Sequence, residues 1–259
     1  MIETAADIEL ARSLDVYGSL FGIRIHPPLD GDLGNLQVWY DLGVRVFQIA
    51  DPRVPDELGE RLGGGQGQSG GLTALGRAAL DEIIRLGMVV DFPHSNEQTT
   101  LETAAVALEK GVPVMANHAP VYAMRRFQVG STTERDDRFN GGKTDAELTA
   151  IANTGGVVAI LCYGPWLTQL AGDLATVEDC VLHLDHAVGL IGVDHVGVAT
   201  DAWMDGQWTN DEVSGDGVLD GRDRWRAVVT RLWQMGYSTA DLEKIMGLNL
   251  LRVYQRVLK

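Results

Sequence analysis

Short apolar runs rich in Val and Ile alternate with longer stretches of helical period along this chain, from Leu20 almost to its end. That alternation is the pattern of repeated βα units. A strand buried on both faces reads as an unbroken apolar run, and a helix lying on it shows an apolar stripe. The pattern predicts strands near 20–26, 44–50, 88–93, 113–118, 156–162 and 195–200. It predicts amphipathic helices over 72–86, 144–153 and 177–190, each leading back to the next strand, and further helices near 224–235 and 239–257. The fold class is α/β with a parallel sheet, in one domain covering 1–259. Six strands fall short of the eight that close a (β/α) barrel, so either strands are missing or something else completes it.

Three of the predicted strands end in side chains that bind metals well. The runs Met88-Val89-Val90-Asp91-Phe92-Pro93-His94, Pro113-Val114-Met115-Ala116-Asn117-His118 and His195-Val196-Gly197-Val198-Ala199-Thr200-Asp201 deliver His94, His118 and Asp201 to the C-terminal ends of parallel strands. Barrel enzymes assemble their active sites at that end, from residues of several strands. Neutral imidazole is a good ligand for zinc and similar ions. Asp201 can ligate, pass a proton at a reacting water, or simply cap the turn that follows. Asp51 ends the run Arg45 to Ala50, but Pro52 follows it, and Asp-Pro also reads as a plain turn. Strand alternation puts Arg24 and His26 on one face, where His26 is a possible ligand and Arg24 a possible carboxylate grip. Pro27-Pro28 ends that strand abruptly, so His26 is equally an exposed loop residue. His183 and His186 sit away from strand ends and suit packing or surface roles, while His195 starts a strand at the stability face. Cys162 and Tyr163 end another apolar run and can line a pocket there.

The formal charge of −15 and pI near 4.7 repel phosphate backbones, and no Lys/Arg cluster offsets them, so nucleic acid is not an expected partner. Cys162 and Cys180 are too few for a disulfide framework and lack CxxC spacing, which suits a reducing cytoplasm. The first residues lack the basic-then-apolar pattern of a leader, and no apolar run is long enough to span a bilayer, so no membrane partner is expected. The run Gly63 to Gly71 lacks the Lys-Ser/Thr ending of a phosphate-binding loop and reads as a flexible loop at the barrel mouth.

Several segments together are similar to the membrane (renal) dipeptidase family. They are Tyr40-Asp41-Leu42-Gly43-Val44-Arg45, Gly70-Gly71-Leu72-Thr73-Ala74-Leu75-Gly76-Arg77, the 86–94 and 192–201 runs, and Ile245-Met246-Gly247-Leu248-Asn249-Leu250-Leu251-Arg252. The resemblance runs from about Leu20 to the C-terminus. It implies a TIM-like barrel of the amidohydrolase type, apparently lacking its first two strands, and a metallopeptidase in which a metal-bound water attacks a dipeptide or related amide bond. By the resemblance, His94 and His118 bind metal, Asp201 assists proton transfer, and Arg138 with Asn140, ahead of Thr144-Asp145, grips the substrate carboxylate; Arg135 or Arg126 can substitute. Three family features are changed. No His-x-Asp strand precedes Leu20, Arg24 stands where the family has a bridging glutamate, and Asp51 stands where it has a histidine. A cation at position 24 repels metal ions instead of bridging them. The expected cofactor is therefore one zinc ion, with manganese or iron as alternatives and His26 or Asp51 as further ligands. The expected partners are a dipeptide or other small-molecule substrate and a second copy in a homo-oligomer. The contrasting expectation is a catalytically inactive or repurposed member, acting as a binding or assembly subunit or as an iron-dependent enzyme on the same scaffold.

Overall fold

The computed structural model describes residues 1–23, 29, 31–54, 61–124, 142–162, 167, 175–201 and 223–259. Its centre is one six-stranded sheet of β1 (Phe21–Ile23), β2 (Val44–Gln48), β3 (Val89–Asp91), β4 (Met115–Ala119), β5 (Val157–Leu161) and β6 (Val196–Ala199). Each strand pairs in parallel with the next in sequence. The order never reverses, so the sheet has no switch point of the doubly wound kind. It advances strand by strand in one direction, as barrel walls do. All six predicted strands are present, with bounds that differ by a few residues from the apolar runs that announced them.

The helices are α1 (Ala5–Leu14), α2 (Asn35–Asp41), α3 (Ala74–Leu86), α4 (Glu97–Glu109), α5 (Asp145–Asn153), α6 (Val177–Ile191), α7 (Arg224–Gln234), α8 (Thr239–Glu243) and α9 (Asn249–Val257). Helix starts follow local chemistry. Thr73 caps α3 through Gly76 N–H, Asn96 caps α4 through Thr99 N–H, and Thr144 with Glu147 forms a capping box on α5. The single helix expected over 239–257 is divided by a π-helical turn at Lys244–Leu248.

Strand alternation separates the core into two layers. Phe47, Val90, Ala116 and Val158 face α3, α5 and α6, joining Leu80, Ile83, Leu148, Ile151 and Leu184 in the larger cluster. Val46, Val89, Met115 and Val157 face the other way and pack with Ile2 and Ile8 near the N-terminus and Val253, Val257 and Leu258 at the C-terminus. The inner face is thus sealed at the N-terminal ends of the strands by α1 and α9. Two residues further along the same face it turns polar, with Gln48 and Asp91 each 2% exposed and Asn117 beside them. The backbone N–H of Asn117 donates to Asp91 Oδ1 at 2.9 Å.

Two sequence expectations are corrected. Cys162, just past β5, and Cys180, in the first turn of α6, form a disulfide with their Cα atoms 5.1 Å apart. They stand 18 positions apart in sequence, and cysteine spacing alone does not reveal the pairing. The Gly63–Gly71 run is also packed rather than loose: residues 63–66 are buried. A Cβ on Gly64 would lie 2.3 Å from Gly70 O, and one on Gly65 would lie 2.5 Å from Pro52 N. These glycines permit close backbone approach, a use that composition does not distinguish from flexibility. Among the described residues no helix is long and apolar enough to cross a membrane.

Candidate metal centre

His94 follows β3 by three residues and His118 lies within β4; they are 7% and 9% exposed. On alternation alone His118 would share the outward face of Ala116. The β4–β5 register shifts between Ala116 and Ala119, where β4 carries one more residue than its partner. Such a bulge breaks the alternation and re-aims the side chain, a device common beside active sites. The result is a close pair: His94 Nε2 and His118 Nε2 are 3.0 Å apart, with the rings edge to face.

The other ring nitrogens show what that closeness means. His118 Nδ1 meets Asn117 Oδ1 in a short hydrogen bond. His94 Nδ1 lies 3.4 Å from Gln66 Oε1. The Gln66 amide nitrogen donates to Pro93 O at 3.0 Å, which fixes its oxygen on the histidine side. An amide oxygen only accepts, so each of these contacts is a hydrogen bond when the ring carries its proton on Nδ1, the tautomer that leaves Nε2 to accept. In that tautomer the two Nε2 atoms, 3.0 Å apart, are complementary to a cation between them. The separation also suits two imidazoles on one ion at the usual Zn–N length of about 2.0–2.1 Å, meeting it at roughly a right angle. The pair therefore fits a metal ion. Among the described residues no group of three or more His, Cys, Asp or Glu side chains is arranged to hold one.

Asp51 is 1% exposed and engaged by a neighbour that sequence reading overlooked. Arg53 donates to Asp51 Oδ1 from its backbone N–H at 2.9 Å and from Nε at 2.7 Å, and to Oδ2 from Nη2. Val54 N–H donates to Asp51 O at 3.1 Å, so the turn reading of Asp51-Pro52 holds. Burial pushes the Asp51 carboxyl up, but the hydrogen bonds from Arg53 and its positive charge outweigh it and hold it below the ordinary aspartate range. Arg53 is correspondingly raised, first by its bond to Asp51, against burial, and further by the charges of Asp51 and Asp201. Asp201 lies two residues past β6 in the left-handed region, φ 49°, which Asp tolerates better than most residues. Arg53 thus ties the ends of β2 and β6 electrostatically. The only signal for it in sequence was an arginine two positions after a strand-end aspartate.

The remaining predicted positions divide clearly. His26, Arg24, Arg138, Asn140, Arg126, Arg135 and Tyr163 lie outside the described residues. His183 is buried on α6 and accepts from Val121 N–H at 3.0 Å, His186 pairs with Asp145, and His195 Nδ1 meets Gly156 O at the start of β6. All three lie away from the pair. Lys143 was also missed. It is fully buried, and its ammonium donates to Ser95 O, Thr100 Oγ1 and Glu147 Oε1 at 2.8–2.9 Å, locking the residue after His94 to α4 and α5.

A family model described as membrane dipeptidase (peptidase family M19) matches residues 1–259. The dipeptidase tcpJ of Claviceps purpurea is 33% identical over 243 residues, covering 92% of this chain and 51% of that protein. An uncharacterized protein from the pqqA 5′ region of Klebsiella pneumoniae is 30% identical over 261 residues, covering 98% of this chain and 87% of that one. A crystal structure of a metallo peptidase from Rhodobacter sphaeroides shares the fold with a TM-score of 0.78 at 21% identity, over 99% of this chain and 68% of that one. The chain spans about half the length of the curated dipeptidases it matches. By the family model's match along its whole length, this chain belongs to the membrane dipeptidase family.

Proposed function

We propose that this protein is a metal-dependent hydrolase of dipeptides or closely related amides, a single domain over 1–259 with one metal ion held by His94 and His118. The observation that carries the reading is the pair of imidazole Nε2 atoms 3.0 Å apart at the C-terminal ends of adjacent strands. Family membership supports the hydrolytic class, and the Rhodobacter sphaeroides structure is of a metallo peptidase liganded with a phosphinate mimic of the dipeptide L-Ala-D-Ala. Zinc is the proposed ion, with manganese or iron as alternatives, and when bound it would supply Lewis-acid polarisation and a lowered pKa for water.

The chain's own residues do the rest. His94 and His118 would each offer Nε2 to the ion. Asp201, just past β6, takes up and returns a proton at its carboxylate. Asp51 is committed to Arg53, so its role is to fix that arginine at the mouth and not to bind metal. Arg138 and Asn140, with Arg24, are proposed to receive the substrate carboxylate. The test is release of free amino acids from a panel of L,L- and L,D-dipeptides, with protein supplemented by zinc, manganese or iron. Hydrolysis is expected with at least one ion, abolished in His94→Ala and His118→Ala and reduced roughly 100-fold or more in Asp201→Asn. Hydrolysis unaffected by the histidine substitutions would overturn the assignment.

A further inference from the structure

The Gly63–Gly71 run reaches the candidate metal centre. Gly65 and Ser95 form an antiparallel bridge, and Asn96 N–H donates to Gly64 O at 2.9 Å. The loop thereby lies against the segment that carries His94. Gln66, 5% exposed, makes three contacts with that segment. Its backbone N–H donates to His94 O at 2.9 Å, its side-chain nitrogen donates to Pro93 O at 3.0 Å, and its Oε1 faces His94 Nδ1 at 3.4 Å. The loop itself is held by Gln68, whose Oε1 accepts from Gly65 N–H at 2.9 Å while its nitrogen donates to Pro52 O and Val54 O. No side chain fits at Gly64 or Gly65 without displacing Asn96, Gly70 or Pro52. Glycine there brings the backbone close enough for the next residue to reach the histidine.

We propose that Gln66 is a positioning residue for the metal centre: it selects the Nδ1–H tautomer of His94 and fixes its ring so that Nε2 faces His118. The acceptor selects the tautomer, and the donor holds that acceptor in place. The donor is spent on Pro93 O, which turns the acceptor toward the ring and excludes the opposite tautomer. Partners of this kind, on the far nitrogen of a ligating histidine, set ring orientation and ligand basicity. The inference rests on the proposed metal-binding role of His94 for its consequence, but not for its geometry.

The experiment separates the two. Nitrogen-15 chemical shifts of the His94 ring in the full chain, without metal, report which nitrogen carries the proton. Wild type is expected to show the Nδ1–H form. Gln66→Met, which keeps the volume and loses both polar atoms, is expected to give a mixture of tautomers. Gln66→Glu, which keeps the acceptor, is expected to retain the Nδ1–H form. Zinc affinity by calorimetry is expected to fall about 10–100-fold in Gln66→Met and much less in Gln66→Glu. If Gln66→Met does not fold, Gln66→Asn, too short to span Pro93 O and His94 Nδ1 together, is expected to lose the single tautomer in its place. An unchanged single Nδ1–H tautomer in the folded Met or Asn variant overturns the proposal whatever the zinc result. Loss of that tautomer with no zinc binding by wild type would uphold the positioning role and overturn the metal reading alone.

Discussion

At the scale of single residues, what a side chain does here is decided by what its second polar atom is bonded to. His94 and His118 are similar to any pair of buried histidines until Gln66 and Asn117 are included, and then both Nε2 atoms become acceptors. Asp51 is the converse: a buried strand-end carboxylate whose oxygens are taken by Arg53. Its carboxyl is held below the ordinary value of about 3.9, so its bond to Arg53 contributes stability above that pH and loses it as pH falls through the lowered value. Asp51→Asn is therefore expected to be less stable than wild type at pH 6–7 by about 1 kcal/mol, the modest figure reflecting the half-exposed Arg53 side chain. The difference should shrink as pH falls below about 4. Denaturant titrations from pH 7 to 2.5 read this directly, and a difference that stays constant or widens on acidification contradicts it. The positions of His94, His118 and Asp201 at or just past strand ends were legible in sequence because each ends an apolar run. Arg53, Gln66 and Lys143 were not, since their roles depend on contacts with residues distant in the fold or, for Arg53, on turn geometry that a dipeptide pattern leaves open.

At the scale of elements, the strand ends carrying the histidines are braced by buried polar links between helices. Lys143 and Glu147, four apart at the start of α5, are both buried, and the ammonium also holds Ser95 O and Thr100 Oγ1. Removing one charge leaves the other buried without its partner, which is far more damaging than removing both. Lys143→Met is expected to destabilise the fold by about 3–5 kcal/mol. Lys143→Met with Glu147→Gln, which keeps the acceptor for Thr144 N–H, should recover a large part of that loss. Urea midpoints for the single and double variants test it, and a double variant less stable than Lys143→Met refutes it. Strand existence and order were readable because buried parallel strands are continuous apolar runs. The β4 irregularity that re-aims His118 was not, because Met115 to Ala119 gives no residue-level mark of an extra position. The loop of glycines was misread for a related reason: close approach and flexibility call for the same residue.

At the scale of the molecule, a sheet that advances strand by strand puts every strand's C-terminal end on one side, and its inner face changes from Val46, Val89 and Met115 to Gln48, Asp91 and Asn117 in two residues. The apolar end is sealed by α1 and α9, which leaves the polar end for chemistry. The overall class was legible from the alternation of elements, whereas the sealing by α1 was not, since nothing before Leu20 announced a helix that packs on the inner face. The central claim is that His94 and His118 form one metal centre in this fold. Its most direct test is metal stoichiometry by elemental analysis and calorimetric titration of the purified full chain, with His94→Ala and His118→Ala as controls. The account predicts about one equivalent of a divalent ion on the wild type, lost in each variant while the fold persists. A wild-type chain that takes up no zinc, manganese or iron, or variants that bind as well as wild type, would contradict it.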